Sequence, residues 1–405
     1  MAIEIRSARA DEMGDMGEIG AYVYAGSFGD GPDNVIATSN RPEWTLCAFV
    51  DGQMASMFST IPFTVRVLGN AVPMGGVSSV GTLPEFRRRG LARSLMTQAL
   101  SDMHERGQPI ASLWASQAAI YQRYQFAMTT VQRSYSVDTV DIGFYDGDMG
   151  SCEVTRVGVS EGYDIIKPLY IEYIKDRICY LHRAKTLWQF NALEERSEDG
   201  PTQIAVCRDG RGAPVGYIIY TVRSGRTGHR SRDQEMTVRD FVWLTHDCYR
   251  SLWRFIASHD LVGTVRWQSA PLDDPAPELF IEPRQLHTRD QEGAWFRVVD
   301  VPAALAARGY MGSGTIKIGI DEDPLAPWNT GTHELTASTE GAEVKSLDGT
   351  PDIQLSAKAL ASLYTGFHSA GVLAGWGLLK GEPSSIQLAE RIFATPHAPH
   401  CPDHF

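Results

Sequence analysis

The chain has 405 residues, 43% of them hydrophobic, and a formal net charge of −12 at neutral pH. At roughly 150 residues per domain, this length predicts two or three domains with ordinary buried cores. The acidic balance argues against a protein that wraps nucleic-acid phosphates or rests on anionic lipid, whereas a small cation would be drawn to it.

The opening stretch MAIEIRSARADEM mixes acids and bases, so it lacks the apolar core of a secretory signal. No apolar run reaches the ~18 residues that a membrane helix needs, and a cytoplasmic location is expected. Next, EWTLCAFVDGQMASMFSTI places apolar runs on both sides of Asp51-Gly52, a dipeptide suited to the positive φ angles of a hairpin turn. FTVRVLGNAV repeats the pattern around Gly69-Asn70. After Gly90 the period changes: Leu91, Leu95, Ala99 and Met103 recur every four residues, with Leu100 widening the stripe, until Gly107 and Pro109 stop a helix. A strand, IASLWAS, and a second helical stretch, QAAIYQRYQF, follow. Strand, turn, helix, strand is an α/β unit.

A second region begins near Asp138. GYDIIKPLYIEYIKDRICYLHR suits a helix packed on a sheet, and PVGYIIYTVRS and MTVRDFVWLTHDCYRSLWRFIASHDL read as strand, strand, helix. This echoes the first unit, but LTHDCYRSLW stands where an arginine-glycine turn would be, so the same ligand is not expected here. A third region, opening around Trp295, gives WFRVVDVPAALAARGY and then short strands in GTIKIGIDEDPLAPWNTGTHELT, punctuated by Pro, Asn and Gly. The six cysteines (Cys47, Cys152, Cys179, Cys207, Cys248, Cys401) are far apart and form no C-x-x-C pair, so reduced thiols are expected rather than a disulfide framework.

The stretch VSSVGTLPEFRRRGLARSL carries the chemistry. Arg87, Gly90 and Ala92 give R-x-x-G-x-A at the mouth of the predicted helix, preceded by the strand residues Val77 to Thr82. At a helix start the first backbone N–H groups lack intrahelical partners and the peptide dipoles add positive potential, which makes the mouth a natural seat for a pyrophosphate. Gly90 would let the backbone approach the phosphates, Ala92 keeps the next turn small, and the arginines add charge-assisted bonds. The bland alternative is a solvated basic turn starting an ordinary amphipathic helix.

With these residues in view, VSSVGTLPEFRRRGLARSLM resembles the coenzyme A signature of the GNAT superfamily of N-acetyltransferases, and the whole chain resembles the enhanced intracellular survival (Eis) family within it. The resemblance implies an α/β (α+β) fold of tandem GNAT-like domains, each a mixed sheet flanked by helices, plus a C-terminal sterol-carrier-protein-like α/β domain. The expected divisions are a catalytic domain over 1–137, a second GNAT-like domain without a cofactor site over 138–293, and the sterol-carrier-like domain over 294–405. It further implies acetyl-CoA as cosubstrate, no metal, and a homo-oligomer, hexamers being common in the family.

Residue by residue, Val80, Gly81 and Thr82 match the strand that pairs with the pantetheine arm. Arg87 opens the pyrophosphate turn, and Arg88, Arg89, Gly90, Leu91, Ala92 and Arg93 form it. Ser116 and Gln117 match positions along the distal part of acetyl-CoA. Tyr121 matches the general acid, with Tyr124 as its local competitor, and the main-chain carboxylate of Phe405 matches the general base. Phe28 and Asp30 match an aromatic and a carboxylate of the amine site. Trp114 stands where some members carry a histidine, and His404 where aminoglycoside-acetylating members carry an acid; both departures count against aminoglycosides as preferred substrates.

The expected reaction is acetyl transfer to a primary amine of an aminoglycoside-like polycation, a polyamine or a lysine side chain. The alternative is an acyl-CoA or lipid-binding module on a non-catalytic GNAT scaffold. RNA binding conflicts with the acidic balance and with the lack of aromatics interleaved among the arginines. The tail residues His397, His400, Cys401 and His404 have spacings that could ligate zinc, but Pro399 and Pro402 break any helix that would gather them on one face.

Overall fold

The computed structural model describes residues 2–26, 40–196, 198–225 and 231–405. The chain divides into two compact units: one joins Met1–Thr129, Ala294–Thr395 and Phe405, and the other joins Thr130–Gly293 and Pro396–His404.

The first unit opens with β1 (Ile3–Arg6), α1 (Met13–Val23), β2 (Cys47–Val50), β3 (Gln53–Val67) and β4 (Asn70–Thr82). Both hairpin turns take two consecutive positive φ angles, Asp51 and Gly52 at 48° and 88°, then Leu68 and Gly69 at 46° and 85°. Such turns match the right-handed twist of the strands they join. The second turn thus sits one residue earlier than its Gly-Asn dipeptide suggests, because β4 already begins at Asn70.

The periodic stretch after Gly90 forms α2 (Leu91–Glu105), burying Leu91, Leu95, Met96, Ala99, Leu100 and Met103 against the sheet. Then come β5 (Ile110–Trp114), the short α3 (Ala118–Gln122) and β6 (Ala127–Met128).

The second unit contains β7 (Val131–Val137), β8 (Glu153–Val157), α4 (Val159–Tyr173), β9 (Ile178–Leu181), α5 (Lys185–Phe190), β10 (Gln203–Arg208), β11 (Pro214–Ser224), β12 (Gln234–Trp243), α6 (His246–Ala257), β13 (Val262–Ala270), α7 (Ala276–Leu279) and β14 (Arg289–Glu292). Its sheet runs β14-β7-β13-β12-β11-β10-β8. The parallel pair β12 and β13, linked through α6, repeats the β4-α2-β5 crossover of the first unit. The core beneath is aromatic: Phe241 stacks on Trp267 with ring centroids 4.8 Å apart, and Trp253 is fully buried.

This unit also buries a carboxyl. Asp274 accepts hydrogen bonds from the Tyr135 and Tyr249 hydroxyls at 2.9 and 3.0 Å, yet loss of water outweighs these bonds and lifts its pKa to about 7. A carboxyl whose pKa is raised on folding binds its proton more tightly in the native state. Its stability contribution is therefore largest below about pH 4 and is lost as pH rises through 7. A rise of this size from the ordinary carboxylate range corresponds to roughly 4 kcal/mol as an upper bound. Thermal scans should show the wild-type unit losing stability between about pH 4 and 7, and Asp274→Asn flattening that slope; a parallel slope in the variant would remove Asp274 as its cause.

The chain then returns to the first unit with β15 (Ala294–Val298), which inserts between β5 and β6, so that sheet runs β1-β2-β3-β4-β5-β15-β6 within the unit. α8 (Val301–Ala307) leads to a five-stranded sheet of β16 (Gly314–Ile320), β17 (Gly331–Ser338), β18 (Gly341–Leu347), β19 (Ile353–Leu355) and β20 (Leu379–Gly381), in the order β18-β17-β16-β19-β20. α9 (Ala357–Tyr364), α10 (Ala370–Gly375) and α11 (Pro383–Phe393) complete it. No described helix is long and apolar enough to cross a membrane, and all six cysteines are free and buried.

Candidate active site

The site is built where β4 and β5 part. The two strands pair in parallel only from Met74–Ile110 to Val77–Leu113, while β4 runs on to Thr82. Among the described residues, no strand pairs with that edge beyond Val77, and buried backbone polar groups require partners of some kind. β4 also carries a bulge: Ser79 and Val80 lie between the pairs Ser59–Ser78 and Met57–Gly81, so they face Phe58 alone, and Ser79 sits at φ 52°. A bulge re-aims the backbone, a device common beside active sites.

A cavity of about 770 Å³ opens along this edge and continues to the mouth of α2. Val80, Gly81, Thr82, Arg87, Arg88, Gly90, Leu91, Ala92, Arg93, Ser116, Gln117 and Tyr121 all line it, as do Arg123 and Tyr124. Arg89 is not among its lining residues; it donates to the Glu85 carbonyl at 2.8 Å and lies over the Phe86 ring. Gly90 caps α2 at φ 82°, and a Cβ built there would meet nothing within 4 Å. Its glycine is needed for the left-handed turn that aims the first N–H groups of α2 outward, rather than for clearance against the protein. Gly90→Ala would relax the turn to escape about 1–2 kcal/mol of strain, a cost that returns when coenzyme A is bound, so its dissociation constant, read by calorimetry, should rise about tenfold. An unchanged constant would show that the turn is not the seat.

A second cavity of about 250 Å³ lies against the other end of the same edge, lined by the 77–80 stretch of β4 with Tyr24, Trp114, Ser116, Tyr121 and Phe405. Tyr24, Val80, Ser116 and Tyr121 line both cavities. Tyr124 lines only the larger one, and its phenol, like that of Tyr121, is raised by burial. The Ser116 hydroxyl hydrogen-bonds to Tyr121 and opposes part of that rise. Phe405 packs its ring 4.8 Å from that of Phe63, a contact that requires Gly76: a Cβ there would lie 2.4 Å from Phe63 and 3.0 Å from Phe405.

Three lining residues, Tyr24, Pro324 and Leu325, had no signal in the sequence. Tyr24, the residue after α1, donates its hydroxyl to the Val80 carbonyl at 2.9 Å, and burial raises its pKa. Pro324 and Leu325 come from the segment between β16 and β17, yet they wall the larger cavity. The buried ion pair of Arg297 with Asp323, 2.7 Å, holds that segment, and Arg297 also donates to the Tyr124 carbonyl. Only long-range packing brings these residues here.

Phe28 and Asp30 lie outside the described residues. His404 belongs to the second unit and lines neither cavity; its backbone N–H donates to the Asn191 side chain at 2.9 Å and its carbonyl accepts from it at 3.2 Å. The other histidines and the cysteine of the tail point to separate partners. His397 bonds Asp273 at 3.0 Å, His400 lies against Ser269 with its pKa held down to about 4 by burial, and the Cys401 thiol faces the Asp403 carbonyl.

In the second unit the equivalent mouth, at the start of α6, is filled from within. Thr245 caps the Cys248 N–H, while Asp247 accepts from the backbone and hydroxyl of Ser151. Gly150 packs so closely that a Cβ would lie 2.4 Å from the Ser251 hydroxyl. Where β12 and β13 part, His400 and Pro402 of the tail line the remaining gap. The helix N-terminus is thus matched by the chain's own acceptors instead of an anion.

Residues 4–129 and 179–298 match two families that are each described as acetyltransferase (GNAT) domain, and residues 301–402 match the sterol carrier protein domain. Similar proteins include an uncharacterised N-acetyltransferase of Streptomyces avermitilis, 30% identical over 356 residues and 85% of each chain. N-acetyltransferase Eis of Mycobacterium tuberculosis is 28% identical over 350 residues, 84% of this chain and 83% of that one. The crystal structure of Eis1 from Mycobacterium abscessus aligns over all of both chains, with a TM-score of 0.84 at 25% identity.

Proposed function

Because the chain belongs to the Eis family of GNAT-superfamily N-acetyltransferases, we propose that it acetylates a primary amine at the expense of acetyl-CoA, with Tyr121 as general acid and the main-chain carboxylate of Phe405 as general base. The observation that carries this reading is the shared wall: Tyr24, Val80, Ser116 and Tyr121 face both a large basic cavity and a small second one. Donor and acceptor bound on the two sides would meet there.

Acetyl-CoA supplies the acetyl group as a thioester. The residues around the larger cavity suit it: Arg87, Arg88 and Arg93 with the α2 mouth for the pyrophosphate, and the edge of β4 from Val80 to Thr82, which β5 leaves uncovered, for the extended arm. An N–H of the backbone re-aimed by the bulge at Ser79 and Val80 would polarise the reacting carbonyl.

An amine of pKa ~10 reaches the site as an ammonium and must lose a proton before it can attack. The Phe405 carboxylate takes that proton, directly or through one water. The freed nitrogen bonds to the carbonyl carbon, the carbon–sulfur bond breaks, and Tyr121 passes its phenolic proton to the departing thiolate; the nitrogen then sheds its second proton to the tyrosinate, and the Phe405 carboxyl returns its proton to solvent. Burial keeps that phenol protonated at neutral pH. The products are an amide and a free thiol.

Thiol release measured across aminoglycosides, polyamines and lysine peptides tests the reading. Turnover with an amine is expected. Tight acyl-CoA or lipid binding without turnover of any amine would overturn it in favour of a binding module.

A further inference from the structure

The two cavities differ in charge. Four arginines line the larger one, whereas among the described residues lining the smaller one no side chain carries a formal charge. Its walls are the rings of Tyr24, Trp114, Tyr121 and Phe405 and the small residues of β4. At about 250 Å³ it also falls below the ~300–1,000 Å³ usual for sites that enclose a drug-sized ligand.

Against these described walls a polycation would leave most of its ammonium and hydroxyl groups without partners, and buried polar groups without partners are costly. A compact amine with one flat ring meets neither penalty. Its ring packs against the aromatic walls, and its single ammonium needs one anion or one ring face. Two wall positions are held rigidly enough to select shape: Tyr24 is tied by its hydroxyl to the Val80 carbonyl at 2.9 Å, and the Phe405 ring is wedged against Phe63 over Gly76. Trp114, at the end of β5, is half-buried and offers the largest flat face.

We infer that the preferred acceptor is an arylalkyl primary amine, a single aromatic ring on a short aliphatic amine, with Trp114 and Tyr24 as the residues that determine this specificity. The inference rests on the acetyltransferase reading above and narrows its acceptor.

The test compares kcat/KM for phenethylamine and tryptamine with that for spermidine and kanamycin, using the full chain and acetyl-CoA. The arylalkylamines should exceed the polycations by about tenfold or more. Trp114→Ala should reduce that ratio at least about tenfold, chiefly through KM for the ring-bearing amines, and Trp114→Phe should restore much of it. A merely structural role for Trp114 would depress both substrate classes equally and leave the ratio intact, which overturns the assignment. If the variant at Trp114 does not fold, Tyr24→Ala serves the same comparison. Polycations turned over faster than the arylalkylamines would overturn this inference alone. Failure of every amine, with coenzyme A still bound, would overturn the acetyltransferase reading and this one with it.

Discussion

Deleting Phe405, or extending the chain beyond it, is expected to lower kcat about 10²–10³-fold while changing acetyl-CoA binding by less than about threefold. The size follows from the worth of a positioned general base, roughly 10²–10⁴ in rate. The selectivity follows from placement, since Phe405 lines the smaller cavity and not the larger one. Phe405→Ala separates the two features of the residue: it keeps the terminal carboxylate but loses the ring that packs on Phe63 at 4.8 Å. Its loss should be smaller, about tenfold, and should come from a carboxylate that wanders. Single-turnover kinetics and calorimetry with coenzyme A read the two effects separately. A C-terminally tagged enzyme with full activity would exclude the base role.

Tyr121→Phe should cost about 10²-fold in kcat, while Tyr124→Phe stays within about threefold. Both tyrosines are raised by burial, so titration alone does not distinguish them, but only Tyr121 lines both cavities. The pH dependence adds a sign. An acid works only while protonated, and burial raises the Tyr121 phenol above its ordinary value near 10. The alkaline fall in kcat that depends on it should therefore begin above about pH 10, and it should vanish in Tyr121→Phe. Loss of activity in Tyr124→Phe with Tyr121→Phe still active would reverse the assignment.

How much of this was legible depended on range. The turn at Gly90 is a local event, a glycine at positive φ before an amphipathic stripe, and its neighbours announce it. The hairpins at Asp51 and Gly69 are equally local, as are the strand-helix-strand crossovers of both units. By contrast, nothing around Tyr24 marks it: it stands one residue past the end of α1, where helical periodicity no longer assigns a face. Pro324 and Leu325 sit in a stretch that reads as an ordinary connection between strands. β15 reads as the opening of a new region, yet it pairs with β5 and β6 across more than 150 residues of intervening chain.

The second unit makes the same point from the other side. The stretch LTHDCYRSLW shows that an arginine-glycine turn is missing, but not what replaces it. Only the packed structure brings Ser151 and Gly150 onto the first turn of α6, and His400 and Pro402 to the gap between β12 and β13.

What the sequence determined by itself was therefore the end proposed for the donor: a helix mouth, its glycine and its arginines, whose geometry depends on dihedral preferences and dipoles within a dozen residues. The end proposed for the acceptor was decided by tertiary structure. Its described walls come from the end of α1, the strands β4 and β5, Ser116 and Tyr121 beyond them, and Phe405. Their charge and volume exist only once those segments are packed together, because a cavity is a property of distances between segments and not of any one of them.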